Sequence, residues 1–207
     1  MTKANPLELA MLDMVNNERV EAGLEELRLL TILNSAAENH SNWMLDSDMF
    51  SHAGIDDSSP SERMEIAGYD FQGNSLSAEN IGWQSARGPE GYEDDVAQVH
   101  EGLMASPGHR ANILNPDAED IGIGIEIGTF SGDGDDYDAV MVTQVFGSTD
   151  ADLSAWIDPG TVDAGGEMIV EDDDDDDEGV FEDEAEDATD DNGQDEVDDE
   201  DEQEDEE

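Results

Sequence analysis

The stretch Ser106-Pro107-Gly108-His109-Arg110-Ala111-Asn112-Ile113-Leu114-Asn115-Pro116 carries the most structural information in this 207-residue chain. Pro107 interrupts any helix that precedes it, Gly108 permits a tight turn, and the pair Asn115-Pro116 halts the next element. The spacing predicts a short helix over 110–114 and puts His109 at the end of an element, where a side chain can reach a cleft.

Upstream, Glu93 to Ala105 reads as a helix with a buried stripe of Val96, Val99 and Leu103, joined by His100 at the i+4 position from Val96. Downstream, Ile121, Ile123, Ile125 and Ile127 alternate strictly, which is the period of a strand. Gly122 and Gly124 leave its other face nearly bare, so another backbone can approach closely there. Val140 to Phe146 is the returning strand, and residues 131–138 form the turn.

Nearer the N-terminus, Leu7, Met11, Met14 and Val15 recur at helical spacing before a stop at Gly23. A second helix is predicted from Thr31 to Leu45. Ser58-Ser59-Pro60-Ser61-Glu62 has the composition of a helix start, and that helix should end at Gly68. Residues 70–78 read as a loop into a short strand, Asn80 to Gln84. Helices around an antiparallel hairpin define an α+β chain folded as a three-layer α-β-α sandwich with a central antiparallel sheet.

Charge divides the chain. Residues 1–150 carry a net charge of −23, and residues 151–207 carry −30 with no basic residue at all. Glu171 to Glu178 is uninterrupted acid. Such a segment cannot bury enough apolar surface to offset the entropy of ordering it, so residues 171–207 are expected to be a disordered acidic tail. Residues 151–170 would be a linker or an added edge strand, using Trp156, Ile157, Val162 and Met168. The charge excludes nucleic acid and anionic lipid as partners and leaves basic proteins and cations, the latter associating weakly with the tail, Ca²⁺ among them. A carboxylate-rich, lysine-poor surface suits a saline or marine habitat, where the Debye length falls to about 3 Å at molar salt.

There is no cysteine, so core packing alone must hold the fold. No stretch approaches the roughly 18 apolar residues of a membrane span. Met1 to Ala10 has no basic region followed by an apolar run, so no Sec-type signal is visible. Gly132 to Asp138 is rich in oxygen ligands but lacks the spacing of an EF-hand and reads as an exposed acidic turn.

Three islands stand out chemically: Phe50-Ser51-His52, Ala78-Glu79-Asn80-Ile81 and Gly108-His109. Two imidazoles and a carboxylate suit Zn²⁺ or another divalent cation with one coordination position open. Without a metal they could simply hydrogen-bond and brace a cleft. Ser106 with His109 lacks the strained elbow of an activated serine, and Ser106 reads as a helix-end residue. His40 reads as a surface or partly buried helical residue, and Trp43, Trp83 and Phe50 as core, with Trp83 near enough to Glu79 to line the cleft.

These islands resemble the CAP superfamily (cysteine-rich secretory proteins, antigen 5 and pathogenesis-related proteins) over residues 7–147. The run Ser106 to Leu114 is similar to its bacterial SCP-like branch. The resemblance implies a domain over 1–150, an α-β-α sandwich and a central cleft with two histidines and two acids. It assigns His52, Glu79 and His109 to three of the four positions. The second acid falls at about Ser106, with Glu101 and His100 as weaker neighbours. Its implied function is a secreted or surface module whose cleft binds a metal or small ligand and whose surface engages a partner, without catalysis. The alternatives are an extracellular metal-dependent hydrolase using the same cleft, or a tail that acts as a cation-responsive solubilising arm. The implied location is extracellular or cell surface by a route without a visible signal, or else the cytoplasm of a salt-adapted organism.

Overall fold

A computed structural model describes residues 3–87, 91–131 and 135–158. The acidic tail and most of 151–170 lie outside the described residues, as do Gly132 to Gly134 of the acidic turn. Among the described residues the helices and strands are α1 Pro6–Glu21, β1 Arg28–Leu29, α2 Thr31–Ser47, α3 Pro60–Ala67, β2 Leu76–Ser85, α4 Glu93–Ala105, α5 Pro107–Ile113, β3 Asp120–Phe130 and β4 Tyr137–Ser148.

Helix starts follow local chemistry. Asn5 caps α1 by accepting from the backbone amides of Leu7 and Glu8, while Glu8 accepts in return from the amide of Asn5. Ser59 and Glu62 form the same reciprocal box on α3, with Pro60 pre-set in the first turn. Pro107 is likewise pre-set in the first turn of α5, which therefore begins three residues earlier than the sequence predicts. His109 lies inside that helix, and Ser106 is the joint that ends α4 and begins α5.

The sheet runs in the order β1-β3-β4-β2. Its three long strands are antiparallel, as expected, and β1 adds a two-residue parallel edge that no periodicity in the sequence announces. β2 extends four residues further upstream than expected, because Leu76 to Asn80 pair with Ser148 to Gln144 in continuous register. Their polar composition disguised a strand at the other sheet edge.

One face of the sheet packs on α1, α4 and α5, where Ile121, Ile123 and Ile125 of β3 meet Met11, Val15, Val99 and Ile113. The opposite face packs on α2 and α3 through Leu33, Ala37 and Met64, joined by Val145. Gly122 and Gly124 point at α2. A Cβ at either would collide with the backbone at Leu33 or at Ala37 and Glu38, so only glycine lets the helix lie this close. Ser41 of α2 completes the contact by donating to the Gly124 carbonyl at 2.9 Å. Past β4, Ile157 forms a single antiparallel bridge to Leu30, which is the described part of the expected linker or edge strand.

Arg19 organises the ground beneath α5. It is fully buried and donates to the carbonyls of Glu25, Ile113, Asn115 and Ala118 at 2.8–3.1 Å. One guanidinium thereby satisfies the orphaned carbonyls at the end of α5 and in the loop after it.

Candidate functional site

Because β2 is an edge strand, segments from both helical layers can meet around it. Successive side chains on β2 point to opposite faces. Glu79 faces the α2–α3 layer, and Asn80 faces the layer that holds α5.

On the Glu79 side, a dense charge-assisted cluster forms. Nδ1 of His52 lies 2.8 Å from Oε1 of Glu79, and Nη2 of Arg63 donates to Oε2 at 2.6 Å. The Glu79 side chain is 1% exposed, whereas that of His52 is 53% exposed. Arg63 also donates to the carbonyls of His52 at 3.1 Å and Ser58 at 2.6 Å, which fixes the loop carrying His52. Behind them His40 is buried, with Nε2 3.0 Å from the Ser51 carbonyl and 3.9 Å from Oε1 of Glu79. Burial, reinforced by the charges of Arg63 and His52, pushes the His40 imidazole down to about 4.

On the other side, Nδ2 of Asn80 donates to the His109 carbonyl at 3.1 Å and to Oε1 of Gln144 at 3.0 Å. Nδ2 of Asn112 donates to Oδ1 of Asn80 at 2.8 Å and approaches the Glu79 carbonyl at 3.3 Å. This amide network fastens α5, and with it His109, to the strand carrying Glu79. Partial burial lowers the affinity of His109 for a proton, and the charge of His52 lowers it further.

His52 and Glu79 are thus in direct contact, and His109 stands within electrostatic reach of His52. Glu101 and His100 go elsewhere, lining a groove between α4 and α1 beside Met14 and Glu18. Trp83 packs against Phe130 and Tyr137 at ring-centroid distances of 5.1 and 5.5 Å. Phe50, expected in the core, is 44% exposed. His40, expected as a surface or partly buried helical residue, is a fully buried neighbour of the site. The helical stripe Ala36, Ala37, His40, Ser41 and Met44, all buried, could have placed it there. Arg63 is the principal omission, and its signal was rarity, since the chain has only 6 basic residues.

As a metal cradle the group is incomplete. Among the described residues, no three His, Asp or Glu side chains are grouped to hold an ion. Each Glu79 oxygen already faces another side chain, and a guanidinium 2.6 Å away competes with any cation for that carboxylate. The arrangement does match one common around metal-binding histidines, in which a carboxylate holds one ring nitrogen and leaves the other available.

The α-β-α sandwich is an architecture that this chain shares with known proteins. The sequence profile of CAP, the cysteine-rich secretory protein family, matches residues 12–146, and the chain belongs to that family. It is 34% identical over 119 residues to YlbC, an uncharacterized membrane protein of Bacillus subtilis, covering 58% of this chain and 31% of that one. It is 32% identical over 117 residues to the uncharacterized protein YkwD of the same organism, covering 56% and 41%. The chain thus spans less than half the length of either relative. Among solved structures it is similar to an extracellular SCP-domain protein of Bacillus anthracis, with 26% identity, a TM-score of 0.53 and coverage of 70% and 44%. An outer surface protein of Borrelia burgdorferi shares the fold at 17% identity and a TM-score of 0.52, covering 72% and 98%. Among the described residues, no helix is long and apolar enough to cross a membrane.

Proposed function

We propose that this chain is a secreted or surface-exposed binding module whose ligand site is the cleft of His52 and His109. Glu79 acts there by positioning His52 and not as a ligand. The observation that carries this reading is the short contact between Nδ1 of His52 and Glu79, whose other oxygen is held by Arg63. A carboxylate so placed fixes the tautomer with the proton on Nδ1, which turns a basic Nε2 outward. Two neutral imidazoles can then take a divalent cation such as Zn²⁺, with its remaining positions open to water or to a donor from a partner. The extracellular setting is supported by the similarity to the Bacillus anthracis protein, which is itself extracellular.

The competing reading, a metal-dependent hydrolase, needs a carboxylate free to take a proton from water. Glu79 is committed to a guanidinium and an imidazole, which favours binding over turnover. Calorimetric titration of the full chain with ZnCl₂ tests the proposal. One equivalent should bind, His52→Ala and His109→Ala should each abolish binding, and Glu79→Gln should weaken it by about 10–100-fold. Zinc binding that survives loss of both histidines would overturn it. Peptide or ester turnover by the zinc-loaded chain, lost in His109→Ala, would favour the hydrolase. The acidic segment 171–207 we assign a separate role as a solubilising arm that gathers cations loosely.

A further inference from the structure

A second recess lies behind the cleft, between α2, the turn at 55–57 and α3. It has a volume of about 340 Å³, and neither His52 nor His109 lines it. Its walls include Trp43, Ile55 and Ile66, and its lining also includes His40, Ser58 and Arg63. Two features set it apart from an ordinary surface dent.

The first is its rim. Ile66 is 83% exposed and Ile55 64%, the two highest values among the large apolar side chains of the described residues. Large apolar side chains held in water at the mouth of a recess are available to cover an apolar guest.

The second is its floor. Nδ1 of His40, Oγ of Ser58 and Nε of Arg63 are all buried without a hydrogen-bond partner among the described residues. Three orphaned polar atoms in one place are costly, because each forfeits its hydration and gains nothing. They also converge. A Cβ placed on Gly54 would stand 3.0 Å from Nη1 of Arg63, 3.0 Å from Oγ of Ser58 and 3.3 Å from Nδ1 of His40. Gly54 therefore packs directly against these three side chains, and any side chain there would crowd them.

The chemistry of the floor selects the guest. Nε2 of His40 donates to the Ser51 carbonyl, so Nδ1 of the neutral ring is an acceptor. Nε of Arg63 is a donor, and Ser58 can play either part. A hydroxyl group can donate to Nδ1 and accept from Arg63 or Ser58 at once. A hydrocarbon would leave all three unsatisfied. A carboxylate would set a lone pair against the Nδ1 lone pair and add charge to a chain already at −53. Trp43 stacks on His40 with ring centroids 5.5 Å apart and planes within 8°, offering a flat wall to a planar guest.

We propose that this recess is a binding site for a compact, neutral, hydroxyl-bearing ring compound of phenol size, with the hydroxyl seated on His40, Ser58 and Arg63. Arg63 also holds Glu79, so the recess and the cleft share one side chain.

The test is an NMR titration of the ¹⁵N-labelled full chain with p-cresol, toluene and 4-methylbenzoate, following the His40 ring nitrogens. Cresol should bind saturably and move the Nδ1 resonance. Toluene should bind roughly tenfold more weakly without moving it, the worth of about one hydrogen bond. The carboxylate should not bind. Ile66→Glu, at an exposed position that the fold does not need, should weaken cresol severalfold. No saturable binding, or cresol and toluene binding alike with Nδ1 unmoved, overturns the proposal.

Discussion

Arg63 is the residue on which the site balances. It cancels the buried charge of Glu79 and ties down the carbonyls of Ser58 and His52, so one side chain holds both the acid and the loop bearing the imidazole. Removing one member of a buried pair leaves the other uncompensated, typically at a cost of about 3–5 kcal/mol. Arg63→Met should therefore cost about 3–5 kcal/mol in urea unfolding at neutral pH. Arg63→Lys should recover only part, since an ammonium lacks the planar fork that reaches three acceptors. A loss below about 1 kcal/mol in Arg63→Met would show that the pair does not brace the fold. Glu8 makes a second prediction at this scale. Burial holds its carboxyl at about 7, up from 4.5, although it caps α1 and accepts from the Ile125 amide at 3.2 Å. A raised acid favours the protonated folded state. Its contribution is complete below pH 4.5 and lost as pH rises through about 7. Denaturant midpoints should show this decline between pH 4.5 and about 7, and Glu8→Gln should remove it.

Among the elements, the α2–β3 contact is the tightest joint, and glycine makes it so. Gly124→Ala would drive a methyl group into the backbone at Ala37 and Glu38, where nothing can rotate away. It should cost about 3 kcal/mol or more. Gly128→Ala, further along the same strand, meets only the Leu45 side-chain tip at 3.2 Å and should cost under about 1 kcal/mol. Equal losses at the two positions, read from urea midpoints, would refute the argument. This joint is readable in sequence, because alternating isoleucine and glycine declare both a buried face and a bare one. Strand β2 was less readable. Its first residues are polar and their strand state comes from pairing with β4, a partner some seventy residues away that no local window contains.

For the whole molecule the governing quantity is the formal charge of −53. Self-repulsion of this size weakens the compact state, and salt screens it. Thermal midpoints should climb as NaCl is raised from about 0.1 M to about 2 M, where the Debye length drops from about 10 Å to below about 3 Å. Ending the chain at Asp158 should shrink that climb, since 28 of the 59 acidic residues lie beyond it. A midpoint indifferent to salt would show that the surface carboxylates are already paired or too widely spaced to matter.

Sequence alone determined the elements whose cause is local: the capped helices, the isoleucine strand and its return, the break at Pro107, and a charge distribution in two parts. It also picked out His52, Glu79 and His109 as chemically conspicuous, because rare ionisable residues in short distinctive runs are visible without a fold. Tertiary structure decided what those residues face. That Glu79 meets Arg63 and His52, that His40 is buried behind them, and that Glu101 turns toward α1 all depend on the packing of segments distant in the chain. Long-range burial and pairing assign each side chain its partner, and one-dimensional periodicity holds no record of them.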